Sequence, residues 1–265
     1  MNRTVFFDRV RARPFGGALS QKQVDGLSAI LDAAARHGVS DPHHVANILA
    51  QVHHETGGYM LGIKETVMPS HKDKNPSDAT VIARLDTAWK KGQLPWVKTP
   101  YWRDGCFGRG PVQITHYDNY LKFEKRLGVP LTAKPELALD PVIGADIAVV
   151  GMTEGLFTGR KLSDYRFPAA LEAAAKSHPR RIINGVDGTD KKVSAAHRDF
   201  LAALTAGGWS AATAKPLDPV ITAPEPPDPL QPLTPAPAEP PPSGAVSFWG
   251  ALFAALAAIF KRSAK

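Results

Sequence analysis

The 265 residues hold 24 prolines, a single cysteine and a formal charge of +7. One cysteine excludes an internal disulfide, and the opening MNRTVFFDRVRARPFGG carries charges but no apolar run of signal-peptide length. A protein made in the cytoplasm without a cleaved leader is therefore expected. The cationic excess sits in the first 215 residues, where 29 Lys and Arg face 21 Asp and Glu. Such a domain is drawn to anionic polymers, though charge alone does not choose among nucleic acid, lipid headgroups and a bacterial wall.

Residues 1–215 pattern as one mainly helical globular domain, long enough to bury a hydrophobic core. Ser20 is placed to cap a helix running to about His37, with Val24, Leu27, Leu31 and Ala34 on one stripe and Gly38 as its stop. Asp41 followed by Pro42 opens a second helix, a favoured pair at a helix start, and its apolar stripe is Val45, Ile48, Leu49 and Val52. The same spacing lands next on Glu55, just before Gly57 and Gly58, so an acid stands where a core residue is expected. Residues 59–105 are irregular, with one helix predicted over about Asp78 to Lys91 and loop or short strand elsewhere. A further helix is predicted from about Thr115 to Leu127, ended by Gly128. Another follows the Asp140–Pro141 cap, with Val142, Ala145, Val149 and Met152 inward, and a last one covers about Lys192 to Leu204, before Gly207–Gly208. No alternation of strand length is present, which disfavours an all-β fold.

A carboxyl group on an apolar helix face loses solvation, and its pKa rises. A general acid that must stay protonated near neutral pH needs that environment, which makes Glu55 the leading catalytic candidate. The same position also reads as a buried Glu paired with an arginine or with backbone donors. In the segment Gly105–Tyr120, three glycines precede polar and aromatic residues. Glycines let a backbone pass close to a ligand, and Gln113, Thr115 and Asn119 offer hydrogen bonds of the kind sugars need. The alternative there is a tight turn entering a helix whose polar residues face water.

His54-Glu55-Thr56-Gly57-Gly58, followed by Gly108-Arg109-Gly110-Pro111-Val112-Gln113-Ile114-Thr115 and later by Arg181-Ile182-Ile183-Asn184-Gly185, resembles the ordered landmarks of glycoside hydrolase family 19. The likeness spans roughly residues 20 to 205, and the middle motif is the most specific part. The stretch Gly151–Gly159 looks closer to the phage endolysins of that family than to its plant chitinases. The resemblance implies a lysozyme-like helical fold and hydrolysis with inversion. It implies Glu55 as general acid, Thr115 as a holder of the attacking water, and Gln113, Asn119, Tyr120 and Asn184 as sugar contacts. Inversion also needs a second carboxylate across the sugar, with room for water between. The plant pattern places it about two dozen residues past the acid, in a cysteine-tied loop that this chain lacks. Glu65 is the preferred candidate, and Asp73 and Asp78 remain alternatives.

His53, His54 and Glu55 lack a second His at the zinc-protease spacing, and Gly105–Pro111 lacks the Lys-Ser/Thr ending of a phosphate loop. No metal, cofactor or nucleic acid is expected. Between Pro216 and Pro242 lie 12 prolines and four acids but no cation, so residues 216–243 read as an extended linker. Residues 244–265 then form a hydrophobic segment, uncharged from Ala245 to Phe260 and ending in Lys261, Arg262 and Lys265. As a helix the uncharged run is about 24 Å long, short of the roughly 30 Å hydrocarbon core. A membrane-active helix is expected, with docking on the enzyme or on another copy as the alternative. The sequence therefore points to an endolysin-like glycosidase of bacterial peptidoglycan, acting at the periplasm and cell wall. A chitinase, a lytic transglycosylase and a non-catalytic wall-binding or virion structural protein are the rivals.

Overall fold

The computed structural model describes residues 1–65 and 73–210, and the expected linker and C-terminal helix lie outside the described residues. The described chain is mainly helical. Its α-helices are α1 (Arg3–Ala12), α2 (Gln21–Arg36), α3 (Pro42–Glu55), α4 (Asp78–Lys90), α5 (Tyr117–Leu127), α6 (Pro141–Glu154) and α7 (Asp190–Gly207). The strands β1 (Ile63–Lys64) and β2 (Arg109–Gly110) pair antiparallel. No described helix is long and apolar enough to cross a membrane.

The predicted caps account for where the helices begin. Ser20 and Gln23 exchange reciprocal bonds, Ser20 N–H to Gln23 Oε1 at 2.8 Å and Gln23 N–H to Ser20 Oγ at 3.3 Å. Asp41 accepts from His43 N–H at 2.8 Å, and Asp140 accepts from Val142 and Ile143 N–H at 2.9 and 3.0 Å. α5 starts at Tyr117, two residues later than its pattern suggests. Gln113 and His116 sit at positive φ, +55° and +66°, which holds the preceding chain out of the helix.

The core lies where α3 packs on α7, α2 on α6 and α1 on α7. α1 was not anticipated, because it buries only Phe6 and Val10 fully, with Phe7 partly buried beside them, among many charges. Its entry is fixed instead by a backbone bond from Asn2 N–H to Gly207 O at 2.7 Å. One inward assignment is corrected: Val142 is 51% exposed, whereas Ala145, Val149 and Met152 are buried. Val142 belongs to the first turn of α6, beside the Asp140 cap, and the helix becomes buried on nearly every side only from Ile143 onward. A second, smaller core lies under α4, built from Val81, Leu85, Ala88, Leu94, Tyr101, Trp102 and Phe107.

Gly26 shows how tightly the loop after α3 is docked. A Cβ there would stand 2.4 Å from Met60 O, so α2 reaches that loop only through a missing side chain. Gly26→Ala is expected to cost about 1–3 kcal/mol despite the better helix propensity of alanine. Urea denaturation of the two proteins checks it.

Candidate active site

Along α3, Asn47, Gln51 and Glu55 follow at intervals of four and form a buried polar stripe beside the apolar one. It faces Arg180, in the short 3-10 turn Pro179–Ile182. Gln51 donates to Pro179 O at 3.1 Å and accepts from Arg180 Nη1 at 2.9 Å. Arg180 Nη1 also lies 2.5 Å from Glu55 Oε1, with both side chains shielded from solvent. The other side of the guanidinium faces Asp187, whose Oδ2 is 2.9 Å from both Nε and Nη2.

One buried cation is thus shared by two buried carboxylates, and they are not equivalent. Asp187 also receives Thr189 Oγ1 at 2.7 Å, Thr189 N–H at 3.1 Å and Asn184 Nδ2 at 3.2 Å. Burial opposes its charge, but Arg180 and the Thr189 donors outweigh that and hold it below the usual carboxylate range. Glu55 Oε2 has no hydrogen-bond donor among the described residues. Burial pushes Glu55 up, Arg180 pulls it back, and the negative charge of Asp187 adds to the rise, so the net shift is upward. Of the two, Asp187 is held toward its charged form and Glu55 is displaced toward its neutral form. The carboxyl expected to face a groove is instead enclosed. Its sequence neighbour His54 lines a cleft, and burial followed by the charge of Arg180 pulls that imidazole down to about 4.

Glu65 stands in a second frame. It follows β1 and is stitched to the glycine-rich segment through its own N–H, which donates to Gly108 O at 2.8 Å. Gly108 N–H donates to its Oε2 at 2.9 Å, and Tyr101 OH donates to its Oε1 at 2.7 Å. Burial pushes Glu65 up to about 7, against the pull of Gly108, Tyr101 and Arg109. No hydrogen bond or ion pair among the described residues joins this frame to that of Glu55. Asp78 differs. It is half exposed and bridges Lys64 and Arg109, each at 2.7 Å; partial burial is the largest single influence and pushes it up, but the two cations together hold it below the ordinary range. Asp73 pairs with Arg84 at 3.0 Å.

The remaining sequence candidates are mostly built into the framework. Gln113 donates to Ile63 O at 2.5 Å and Gly110 O at 2.8 Å, tying β1 to β2. Tyr120 is fully buried and donates to Phe107 O at 2.8 Å. Asn184 is buried against Asp187, and Thr115 is buried with its carbonyl accepting from the half-buried Asn119 at 2.8 Å. Arg109 is buried with its guanidinium carbon over the Phe107 ring, 3.6 Å from the centroid. Arg180, Asp187 and Tyr101 escaped sequence reasoning. The signal for the first was the amide–amide–acid stripe on α3, which calls for a cation opposite.

No family model matches the sequence, and a search of curated proteins returns no match. Among solved structures, chitinase C from Streptomyces griseus HUT6037 aligns at a TM-score of 0.46 and 22% identity, covering 78% of this chain and 76% of that one. A point mutant of chitinase C aligns at 0.43 and 22%, covering 78% of this chain and 92% of that one. Likeness at this level bears on neither substrate nor mechanism.

Proposed function

We propose that the chain is a glycosidase that hydrolyses β-1,4 bonds of bacterial peptidoglycan, with Glu55 as general acid and Glu65 as the base that activates water. One observation carries this reading: two carboxyl groups, in separate polar frames, are both displaced toward the neutral form. A raised pKa lets one carboxyl keep a proton for a leaving group and brings another close to the working pH as a base. The ordered motifs around Glu55, Thr115 and Asn184 support the same assignment. In this scheme Glu55 protonates the departing sugar oxygen, and Arg180, already balanced by Asp187, steadies the carboxylate that results. Glu65 takes a proton from water on the opposite face of the sugar. The endolysin role, action at the cell wall and membrane contact through residues 244–265 belong to the same proposal.

Digestion of purified peptidoglycan and chitin side by side, with new sugar ends identified by mass, tests it. Reducing ends on peptidoglycan are expected. Anhydro ends would replace hydrolysis by a transglycosylase, and cleavage of chitin alone would move the substrate. The non-catalytic rival draws on the complete burial of both carboxyls; it predicts wall binding with no new ends at all.

A base with a pKa of about 7 also fixes the acid limb of the pH profile. Activity requires ionised Glu65, so kcat/KM is expected to rise with pH through about 7. Tyr101→Phe removes a donor to the ionised form, which moves that limb to higher pH. A profile unmoved by this change would take the base role away from Glu65.

A further inference from the structure

We propose that His178 is the positioning residue for the Arg180–Glu55 pair, holding the Arg180 turn through Nδ1 and releasing it when that nitrogen takes a proton. The inference rests on the glycosidase reading and deepens it, by giving the site a device that responds to acid. His178 stands immediately before the turn Pro179–Ile182 and is buried, and its Nδ1 accepts from Arg180 N–H at 3.0 Å. Its Nε2 lies 2.8 Å from Ser194 Oγ on α7, and that oxygen lies 2.9 Å from Leu171 O.

The direction of this chain of contacts follows from its two ends. A carbonyl only accepts, so Ser194 O–H donates to Leu171 O and the Ser194 oxygen accepts from Nε2–H. A backbone N–H only donates, so Nδ1 must carry no proton. A single neutral tautomer satisfies every contact, and both ends are tied to backbone. An imidazolium has no acceptor left. It would keep Ser194 and lose Arg180 N–H, the contact that caps the turn. Asp190 Oδ1 stands 3.7 Å from Nδ1 and already meets Arg181 Nη2 at 2.5 Å, so a protonated ring would turn toward that carboxylate in competition with Arg181. Glu55 feels the change through the guanidinium, because Arg180 meets Gln51, Glu55 and Asp187 at 2.9, 2.5 and 2.9 Å.

The charges around the ring set the sign. Burial is the largest influence and keeps His178 neutral; Asp190 on α7 favours the proton, and Arg181 and Arg180 in its own turn oppose it. Also on α7 is His197, whose Nε2 meets His43 Nδ1 of α3 at 3.2 Å. Burial, then His43 and Arg198, pull His197 down to about 3, so it stays neutral through mild acid. The turn Ala169–Glu172 offers the Leu171 carbonyl, while its Glu172 is exposed and paired with Arg198. The cap is therefore intact above the ordinary histidine value of about 6.5 and is lost as pH falls through the lower folded value.

NMR of full-length protein labelled with 15N and 13C, titrated without substrate, tests this. His178 is expected as the Nε2–H tautomer at neutral pH, taking up a proton below pH 6.5, with the Arg180 amide moving at the same midpoint. His178→Asn places an amide oxygen near the position of Nδ1 and does not titrate. Its Arg180 amide should show no such transition, and Glu55 should titrate as in the parent. His178→Ala removes the acceptor, and Glu55, less closely held by Arg180, should titrate about one unit higher. An Nδ1–H tautomer in the parent, or an Arg180 amide that ignores the His178 titration, overturns the proposal. So does a transition that survives in His178→Asn, or a Glu55 titration that His178→Ala leaves in place. Should His178→Ala fail to fold, the parent and His178→Asn still decide through the tautomer and the Arg180 amide. A chain that passes these tests yet releases no sugar ends would contradict the glycosidase reading and leave the coupling of His178 to Arg180 standing.

Discussion

Glu55→Gln is expected to lower wall-clearing activity by about a hundred- to ten-thousandfold, the range for loss of a positioned general acid. The amide is close in shape and keeps an oxygen toward Arg180, so the packing at the end of α3 is retained. It cannot give up a proton to a leaving oxygen. The unfolding midpoint should hardly move, since the substitution leaves Arg180 with Asp187 as its charge partner. Turbidity loss of cell walls, recorded beside thermal unfolding, separates chemistry from folding. A variant that clears walls at the original rate excludes Glu55 as the acid, and one that unfolds early makes it a structural partner of Arg180.

Removing the cation has the opposite signature. Arg180→Met takes from buried Asp187 its close counter-charge, leaving only Arg181 at 3.7 Å, and strips Gln51 of its donor. Breaking a buried pair from one side costs about 3–5 kcal/mol, because the remaining charge is uncompensated. Arg180→Lys should recover only part of this, since one ammonium cannot reach Gln51, Glu55 and both contacts on Asp187 with a planar fork. The pH dependence has a definite sign. Asp187 is held below its ordinary pKa in the fold, so its pairing stabilises the protein above the unfolded-state value of about 3.9 and is lost as pH falls through the lower folded value. The difference between the parent and Arg180→Met, measured by urea unfolding, is therefore expected to be largest at neutral pH and to shrink in acid. A loss below about 1 kcal/mol at pH 7 would mean that the network is not holding the fold.

Much of the helical frame was legible because its signals are local. Ser20 with Gln23, Asp41 with Pro42 and Asp140 with Pro141 each satisfy orphan N–H groups within one turn, and the chain then has little choice about where to start a helix. The unusual position of Glu55 was legible for the same reason, as an interruption of a local apolar period. Its partner was not. Arg180 lies 125 residues further on, and only tertiary packing decides whether it or the likewise buried Arg181 meets Glu55. Arg181 meets Asp190 at 2.5 Å instead, from the same short turn. Glu65 shows the same divide: its pairing with Gly108 and Tyr101 depends on how β1 meets β2. Gln113 was read as a ligand contact because polar residues beside glycines resemble a binding loop, and Tyr120 because of the family resemblance. In the fold their hydrogen bonds close backbone gaps left by the positive-φ turns around them.

Everything proposed for the chemistry depends on Glu55 holding its proton while Asp187 balances Arg180. Carboxyl-carbon NMR of protein labelled at glutamate, with the Glu55 signal assigned by its disappearance in Glu55→Gln, measures this directly. The account predicts that Glu55 titrates above the ordinary glutamate value and keeps a protonated fraction at neutral pH. A Glu55 signal already fully ionised at pH 5 would show that Arg180 holds it as a carboxylate, and would contradict its role as the acid.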